Sequence, residues 1–272
     1  MNVGVDVAYS ADGVPVRYEV RGTGTPALIF VHGWSCDRSY WRAQRDVFAQ
    51  RHQVVALDLA GHGESGADRE KWTMPAFGAD VAAVVEQLEV RDAVLIGHSM
   101  GGDVIVEAAL QLSNPVAGLV WVDVYTTLDA PPSAEQLQEF IAPFGNDFVA
   151  ATRHFVRQAF TPQSDPGLVE WVAADMSAAP LEIALDAMEH ALSNMTAAAA
   201  GMRRLNAPKV AINPDRRPTD IESLQRHGME TALVSGVGHF PMMEDAETFN
   251  RVLRETIERF TDEAEQRSSS LQ

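Results

Sequence analysis

The chain has 272 residues and a mass of 29.6 kDa, enough for one large domain or for a core with a smaller insertion. Its formal net charge of −17 at pH 7 argues against partners that need a basic surface, such as nucleic acids and anionic membranes. The single cysteine, Cys36, excludes an internal disulfide, and no apolar run approaches the ~18 residues of a membrane-spanning helix. Residues 1–6 lack the basic and apolar regions of a signal peptide. We therefore expect a cytoplasmic protein with a small-molecule substrate and no nucleic-acid or membrane partner, and we leave a homodimer open.

The first predicted elements are the two strands of a β-hairpin. Residues 3–9 and 14–20 alternate in character around Asp12-Gly13, a pair suited to a tight turn. After the hairpin, short and continuous apolar runs alternate with amphipathic helical segments, which is typical of parallel strands buried on both faces. The six runs cover residues 27–31, 54–57, 93–96, 118–122, 210–212 and 231–234. The pattern predicts an α/β fold with an eight-stranded, mostly parallel sheet and flanking helices.

One interval interrupts this alternation of strands and helices. Residues 126–205 contain no strand-like run and are too long for a connecting loop, so we predict a helical insertion. The predicted domains are a core made of residues 1–125 and 206–272 and a helical cap made of residues 126–205. The aromatic and methionine side chains of this interval supply candidates for an apolar pocket.

The motif with the clearest chemistry is Gly97-His98-Ser99-Met100-Gly101, which directly follows an apolar run and precedes a helical stretch. This is the strand, sharp turn and helix that the G-x-S-x-G pattern requires. Such a turn holds the serine in a strained conformation and lifts its hydroxyl above the sheet edge. The amide groups that begin the following helix point toward any oxyanion formed there. We therefore predict that Ser99 is a nucleophile.

Two further glycine-containing loops supply the expected partners of Ser99. His32-Gly33-Trp34 follows the run at 27–31, so the Trp34 amide and the Met100 amide are the predicted oxyanion hole. The loop 236–241 follows the last run and carries His239, our predicted general base. The remaining histidines have no metal-like spacing and no phosphate-binding glycine motif is present, so we expect neither a metal nor a cofactor.

These pieces, in this order, resemble the α/β-hydrolase superfamily over nearly the whole chain. The resemblance implies eight strands, a cap inserted after the sixth strand, and a Ser–acid–His triad. It also implies an acid after the sixth or the seventh strand. Asp123 matches the first position, which some relatives use, and Asp215 lies near the second, although its surroundings depart from the usual Gly-x-x-Asp pattern. We favour Asp123 and keep Asp215 as the alternative. Serine at position 99, in the sharp turn of the G-x-S-x-G pattern, disfavours dehalogenase and epoxide hydrolase activity.

The predicted pocket comprises residues on several loops and on the insertion. We expect His32 to hold its loop beside the pocket and His98 to form a wall, and we add three aromatic residues: Tyr125, Phe144 and Phe240.

The predicted function is a serine hydrolase that cleaves a small or medium-sized, partly apolar ester or lactone through an acyl-enzyme. Three alternatives stay open at this point. The first is a carbon–carbon hydrolase with the same triad, and the second is a cofactor-free oxygenase that uses a His–Asp pair. The third is a ligand receptor or signalling protein with slow turnover. Fold alone does not choose among them.

Overall fold

The computed structural model describes residues 4–269. Within that range there are eight strands: β1 (Val5–Tyr9), β2 (Pro15–Arg21), β3 (Ala27–Val31), β4 (Val54–Leu57), β5 (Ala93–His98), β6 (Gly118–Val122), β7 (Lys209–Pro214) and β8 (Glu230–Val234). They form one sheet with the spatial order β1-β2-β4-β3-β5-β6-β7-β8. The pairs β1–β2 and β2–β4 are antiparallel, and all pairs from β3 to β8 are parallel. The predicted eight-stranded, mostly parallel sheet is therefore confirmed.

The helices of the described range flank this sheet or follow β6. They are α1 (Arg42–Phe48), α2 (Met74–Gln87), α3 (Met100–Gln111), α4 (Ala134–Asn146), α5 (Phe148–Ala159), α6 (Pro166–Met176), α7 (Leu181–Ser193), α8 (Met195–Met202), α9 (Ile221–Arg226), α10 (Pro241–Glu244) and α11 (Ala246–Ser269). No helix among residues 4–269 has both the length and the apolar character needed to cross a membrane.

The core lies on both faces of the central strands. Strands β3, β4, β5 and β6 are buried along their whole length, as their continuous apolar runs predict. Helix α2 buries its predicted apolar face, including Val81, Val84 and Val85, and packs against α3. Burial on both faces holds the sheet rigid, so the loops at its edge have fixed anchor points.

The predicted strand ends differ from the observed ends by a few residues. Val3 lies outside the described residues, and β2 begins at Pro15 because Val14 belongs to the turn. In that turn, the Ser10 amide donates to the Val14 carbonyl, 2.9 Å away, and Gly13 has a φ of +86°. Strand β7 extends two residues further than predicted, because Asn213 and Pro214 still pair with β8.

The interval between β6 and β7 contains helices α4 to α8. Several of these helices begin with side-chain caps that the sequence encodes. The Ser133 hydroxyl and the Gln136 side chain form a reciprocal capping box at α4, and Asp147 and Asp165 cap α5 and α6. The division of the chain into a core and a cap at residues 126–205 stays a prediction.

Parallel strands bring the predicted functional residues to one edge of the sheet. Ser99 follows β5, Asp123 follows β6, and His239 lies on the loop after β8. Because the carboxyl ends of parallel strands meet at the same edge, these three loops lie side by side.

Candidate active site

Ser99 occupies a strained turn between β5 and α3. Its backbone has a φ of +51° and a ψ of −123°, and the residue directly precedes the first residue of α3. A Cβ on Gly97 would lie 2.2 Å from the Gly101 carbonyl oxygen, and a Cβ on Gly101 would lie 2.5 Å from the His32 carbonyl oxygen. Both positions therefore require glycine, and the two glycines of the sequence allow the backbone to make this turn. The turn holds Ser99 in a left-handed conformation that non-glycine residues rarely adopt.

His239 and Asp123 form a direct hydrogen bond. The His239 Nδ1 atom lies 2.6 Å from the Asp123 Oδ2 atom. The His239 amide donates to the Ala159 carbonyl, 2.8 Å away, which fixes the loop against the end of α5. Asp123 has a φ of +45°, and its amide donates to the Ile212 carbonyl, 3.0 Å away. Two separate backbone contacts thus orient the pair.

The charge of Asp123 is stabilised by hydrogen-bond donors on two sides. The carboxylate is only 3% exposed, and its second oxygen, Oδ1, accepts a hydrogen bond of 3.1 Å from Arg217 Nη2. Burial works against the charged form, but His239 and Arg217 outweigh it and hold the pKa of Asp123 below its usual value. Asp123 is therefore ionised at neutral pH.

Asp215, the alternative acid, lies in a different environment. It is exposed, and its Oδ1 atom accepts a hydrogen bond of 3.2 Å from the Gly236 amide. Its own amide donates to the Val234 carbonyl, 3.1 Å away. Asp215 thus contacts the backbone at the start of the loop that carries His239, whereas Asp123 contacts the His239 ring.

One cavity of about 350 Å³ brings the predicted catalytic and oxyanion residues together. Ser99, His239, Asp123, Trp34 and Met100 all contribute to its wall. The remaining lining is mostly apolar and includes residues of α4 to α8: Phe140, Phe155, Met176, Met188, Ala191, Leu192 and Met195. A volume of this order suits a small ligand.

Of the five predicted pocket residues, His98, Tyr125 and Phe240 line the cavity, whereas His32 and Phe144 lie outside its lining. His32 is fully buried below the surface of the cavity. Its Nδ1 atom lies 2.8 Å from the Gly33 carbonyl oxygen, and its Nε2 atom accepts from the Leu59 amide, 3.0 Å away. Burial lowers the pKa of His32 to about 4, so the ring is neutral and joins two loops. Phe144 lies behind Trp34, and the two ring centroids are 5.5 Å apart.

His98 forms a wall of the cavity and supports the His239 loop. Its Nε2 atom lies 2.8 Å from the His239 carbonyl oxygen and must be the protonated nitrogen, because a carbonyl can only accept. Burial and the neighbouring His239 lower the pKa of His98 to about 3, so the ring is neutral. His98 therefore positions the backbone of His239 and carries no charge.

Three charged residues of the site were missed by sequence reasoning. Arg217 contacts the Asp123 carboxylate, and Asp103 lines the cavity from α3. The Glu244 carboxylate accepts from the amides on either side of His239, those of Gly238 at 2.9 Å and Phe240 at 3.1 Å. Of the three, only Asp103 could have been noticed in the sequence, because it is a charged residue within the apolar stretch that follows Ser99. Among the described side chains, no group of three or more His, Cys, Asp or Glu residues is arranged to hold a metal ion.

Comparisons with known proteins agree with this architecture. The model of the alpha/beta hydrolase family matches residues 28–252. A bifunctional esterase/perhydrolase of Acinetobacter calcoaceticus is 38% identical over 120 residues, which are 43% of this chain and 44% of that protein. The curated relatives are matched over 30% to 44% of their own length.

Solved structures match over a larger share of the chain. A thermophilic esterase from Thermogutta terrifontis superposes with a TM-score of 0.79 at 23% identity, covering 94% of this chain and 99% of that one. Est816, described as an N-acyl homoserine lactone degrading enzyme, superposes with a TM-score of 0.77 at 25% identity, covering 92% of this chain and 99% of that one. The chain therefore belongs to the α/β-hydrolase family.

Proposed function

We propose that the chain is a serine hydrolase that cleaves a small or medium-sized, partly apolar ester or lactone through an acyl-enzyme. One observation carries the proposal. The Asp123–His239 hydrogen bond of 2.6 Å lies in the same cavity as a serine held on a strained turn. A nucleophile, a histidine and a buried carboxylate that orients it are the three parts that acyl transfer requires.

In this proposal, Asp123 sets the tautomer of His239. An ionised carboxylate only accepts hydrogen bonds, so its contact at 2.6 Å requires a proton on Nδ1 of the His239 ring. The other ring nitrogen, Nε2, then carries a lone pair and can take the proton of the Ser99 hydroxyl. When His239 becomes a cation, the negative charge of Asp123 stabilises it.

The reaction proceeds in two halves. The Ser99 oxygen attacks the substrate carbonyl carbon while its proton moves to His239, and the carbonyl oxygen becomes an oxyanion. The oxyanion accepts from the Trp34 and Met100 amides, each worth about 3 kcal/mol of barrier. The bond to the leaving alcohol breaks as His239 returns the proton to it. Water then attacks the acyl-enzyme by the same route and releases the acid and Ser99.

The substrate class follows from the lining of the cavity and from the relatives. Four methionines and three phenylalanines contribute to the wall, which suits an apolar acyl or alcohol group of limited size. We propose that residues 126–205 act as the cap over this cavity, since α4 to α8 supply seven of its lining residues: Phe140, Phe155, Met176, Met188, Ala191, Leu192 and Met195. An esterase among the relatives and a lactone-degrading enzyme among the structural neighbours support esters and lactones.

Initial rates on short- and medium-chain p-nitrophenyl esters test the proposal. Ser99→Ala removes the nucleophile, so we expect kcat/KM to fall at least ~10³-fold. The matched control is Ser113→Ala, which changes an exposed serine just after α3. This variant should retain the wild-type rate. Ester turnover that survives in Ser99→Ala would overturn the proposal.

A cofactor-free oxygenase is the second candidate. The observation that favours it is the position of Asp123 directly after β6, because the acid of oxygenases that use a His–Asp base has a similar position. Oxygen uptake with heteroaromatic substrates separates the two. The serine hydrolase predicts no uptake, whereas uptake that persists in Ser99→Ala and disappears in His239→Ala would favour the oxygenase.

A further inference from the structure

The cavity contains one buried carboxylate that the proposed mechanism does not use. Asp103 lies in the first turn of α3, is 5% exposed, and lines the same cavity as Ser99. The Tyr125 hydroxyl donates a hydrogen bond to its Oδ1 atom. Tyr125 is itself held in place, because the Asn213 side-chain amide donates to its carbonyl, 2.8 Å away. The acid and the tyrosine thus form a fixed polar patch in the wall.

A carboxylate at this position is costly. Burial raises the pKa of Asp103 to about 7, against the opposing effects of Tyr125 and Asn194, while Glu107 on the same helix raises it further. A buried charge lowers stability unless hydrogen bonds compensate it. The hydroxyl of Tyr125 engages the Oδ1 atom of this carboxylate, and Asn194 is the second polar side chain that favours the charged form.

The position of Asp103 relative to Ser99 indicates what this polar patch can contact. Asp103 comes four residues after Ser99, which is about one helical turn of ~5.4 Å along α3. A substrate bonded to Ser99 would therefore place atoms a few bonds from its carbonyl next to the Asp103 carboxylate. Arg217 also lines the cavity, but its charge is paired with Asp123, whereas no cation among the described side chains forms an ion pair with Asp103, which can therefore accept from a donor on the substrate.

We propose that Asp103 determines substrate specificity by accepting a hydrogen bond from a hydroxyl or amide N–H group of the ester or lactone. The inference rests on the proposed serine hydrolase function and narrows its substrate class. The polar group lies on a carbon chain that otherwise contacts apolar side chains.

Matched pairs of esters that differ by one hydroxyl test the inference. p-Nitrophenyl butyrate and p-nitrophenyl 3-hydroxybutyrate probe the acyl half, and ethyl acetate and 2-hydroxyethyl acetate probe the alcohol half. At pH 8, where the carboxylate is ionised, a hydrogen bond to a charged acceptor predicts a kcat/KM ratio of about 10 to 100 in favour of the hydroxylated member of one pair.

The variants separate recognition from general damage to the site. In Asp103→Leu/Tyr125→Phe, both partners are replaced by apolar groups, so the ratio should fall to about 1 or below. Asp103→Asn serves if the double variant does not fold, because it keeps the shape of the side chain and removes the charge. Glu139→Gln removes an exposed charge on α4, outside the cavity lining, and should keep the wild-type ratio.

The ratio is the decisive quantity, since a general loss of activity cancels from it. A wild-type ratio near 1 for both pairs, or a ratio that Asp103→Asn leaves unchanged, would overturn the inference. Such a result with ester turnover that depends on Ser99 leaves the hydrolase proposal intact. Turnover that does not depend on Ser99 overturns the hydrolase proposal instead.

Discussion

The loops that follow β6 and β7 each carry an aspartate, and both aspartates contact the loop of His239 in different ways. Asp123 is buried, and its carboxylate lies 2.6 Å from the His239 ring. Asp215 is exposed, and its carboxylate accepts from the Gly236 amide at 3.2 Å. The difference teaches that proximity to the histidine loop does not define a catalytic acid. Burial and contact with the ring nitrogen distinguish the two carboxylates.

The largest expected effect comes from Asp123→Asn. The amide cannot stabilise a histidine cation and allows the wrong ring tautomer, so we expect kcat/KM on a p-nitrophenyl ester to fall ~10³- to 10⁴-fold. Asp215→Asn is the matched control, with an expected change below about threefold. A larger loss in Asp215→Asn than in Asp123→Asn would reverse the comparison.

Arg217 lies on the same loop as Asp215, after β7, but contacts the buried Asp123. Its removal therefore tests the environment of Asp123 alone. Arg217→Ala removes the cation 3.1 Å from Asp123 Oδ1, and we expect a loss of about tenfold in kcat/KM. This cation helps hold the pKa of Asp123 below its usual value, so its removal raises that pKa. Loss of activity by protonation of Asp123 should therefore begin at higher pH in Arg217→Ala, and Arg217→Lys should restore part of the wild-type profile. An unchanged profile in Arg217→Ala would mean that this contact has no influence on the acid.

Glu244, the last residue of α10, is a third carboxylate that contacts the loop of His239, and it accepts from two backbone amides of that loop and from the Ser164 hydroxyl. Glu244→Ala leaves the amides of Gly238 and Phe240 without their acceptor, which costs about 1–3 kcal/mol of unfolding free energy. We expect a loss of up to about tenfold in kcat/KM, because these amides flank His239. Chemical denaturation and ester kinetics measure both effects. Glu247→Ala, at an exposed position nearby, is the control, and equal losses in the two variants would contradict this role.

The smallest expected effect is on the stability of Asp215→Ala. The contact to the Gly236 amide is exposed, so its loss should lower the unfolding free energy by at most about 1 kcal/mol. A denaturation curve measures this change. A loss of several kcal/mol would show that the loop after β7 depends on Asp215 far more than its exposure implies.

The sheet and the nucleophile turn could be predicted because their signals are local. Continuous apolar runs mark buried parallel strands, and the turn at Ser99 requires glycine at positions 97 and 101. The positions of Trp34 and Met100, after β3 and β5, follow from the same order of strands. These parts of the fold depend on residues that are neighbours in the sequence.

The choice of acid and the cavity wall depend on contacts between distant residues. Asp123 and His239 are 116 residues apart in the sequence. Asp123 has a φ of +45°, and because this position is not a glycine, the sequence does not indicate the positive φ. The sequence places His32 on a loop beside the cavity, but it does not show that hydrogen bonds to Gly33 and Leu59 keep its ring fully buried. Arg217 and Glu244 act on residues that no sequence pattern links to them.

Intact-mass analysis of the protein during turnover of a p-nitrophenyl ester, followed by peptide mapping, tests the central claim most directly. The account predicts one acyl group per chain, bound to the peptide that contains Ser99. It also predicts that the adduct is absent from Ser99→Ala and forms far more slowly in Asp123→Asn. An adduct on another residue, or rapid turnover by Ser99→Ala, would contradict the account.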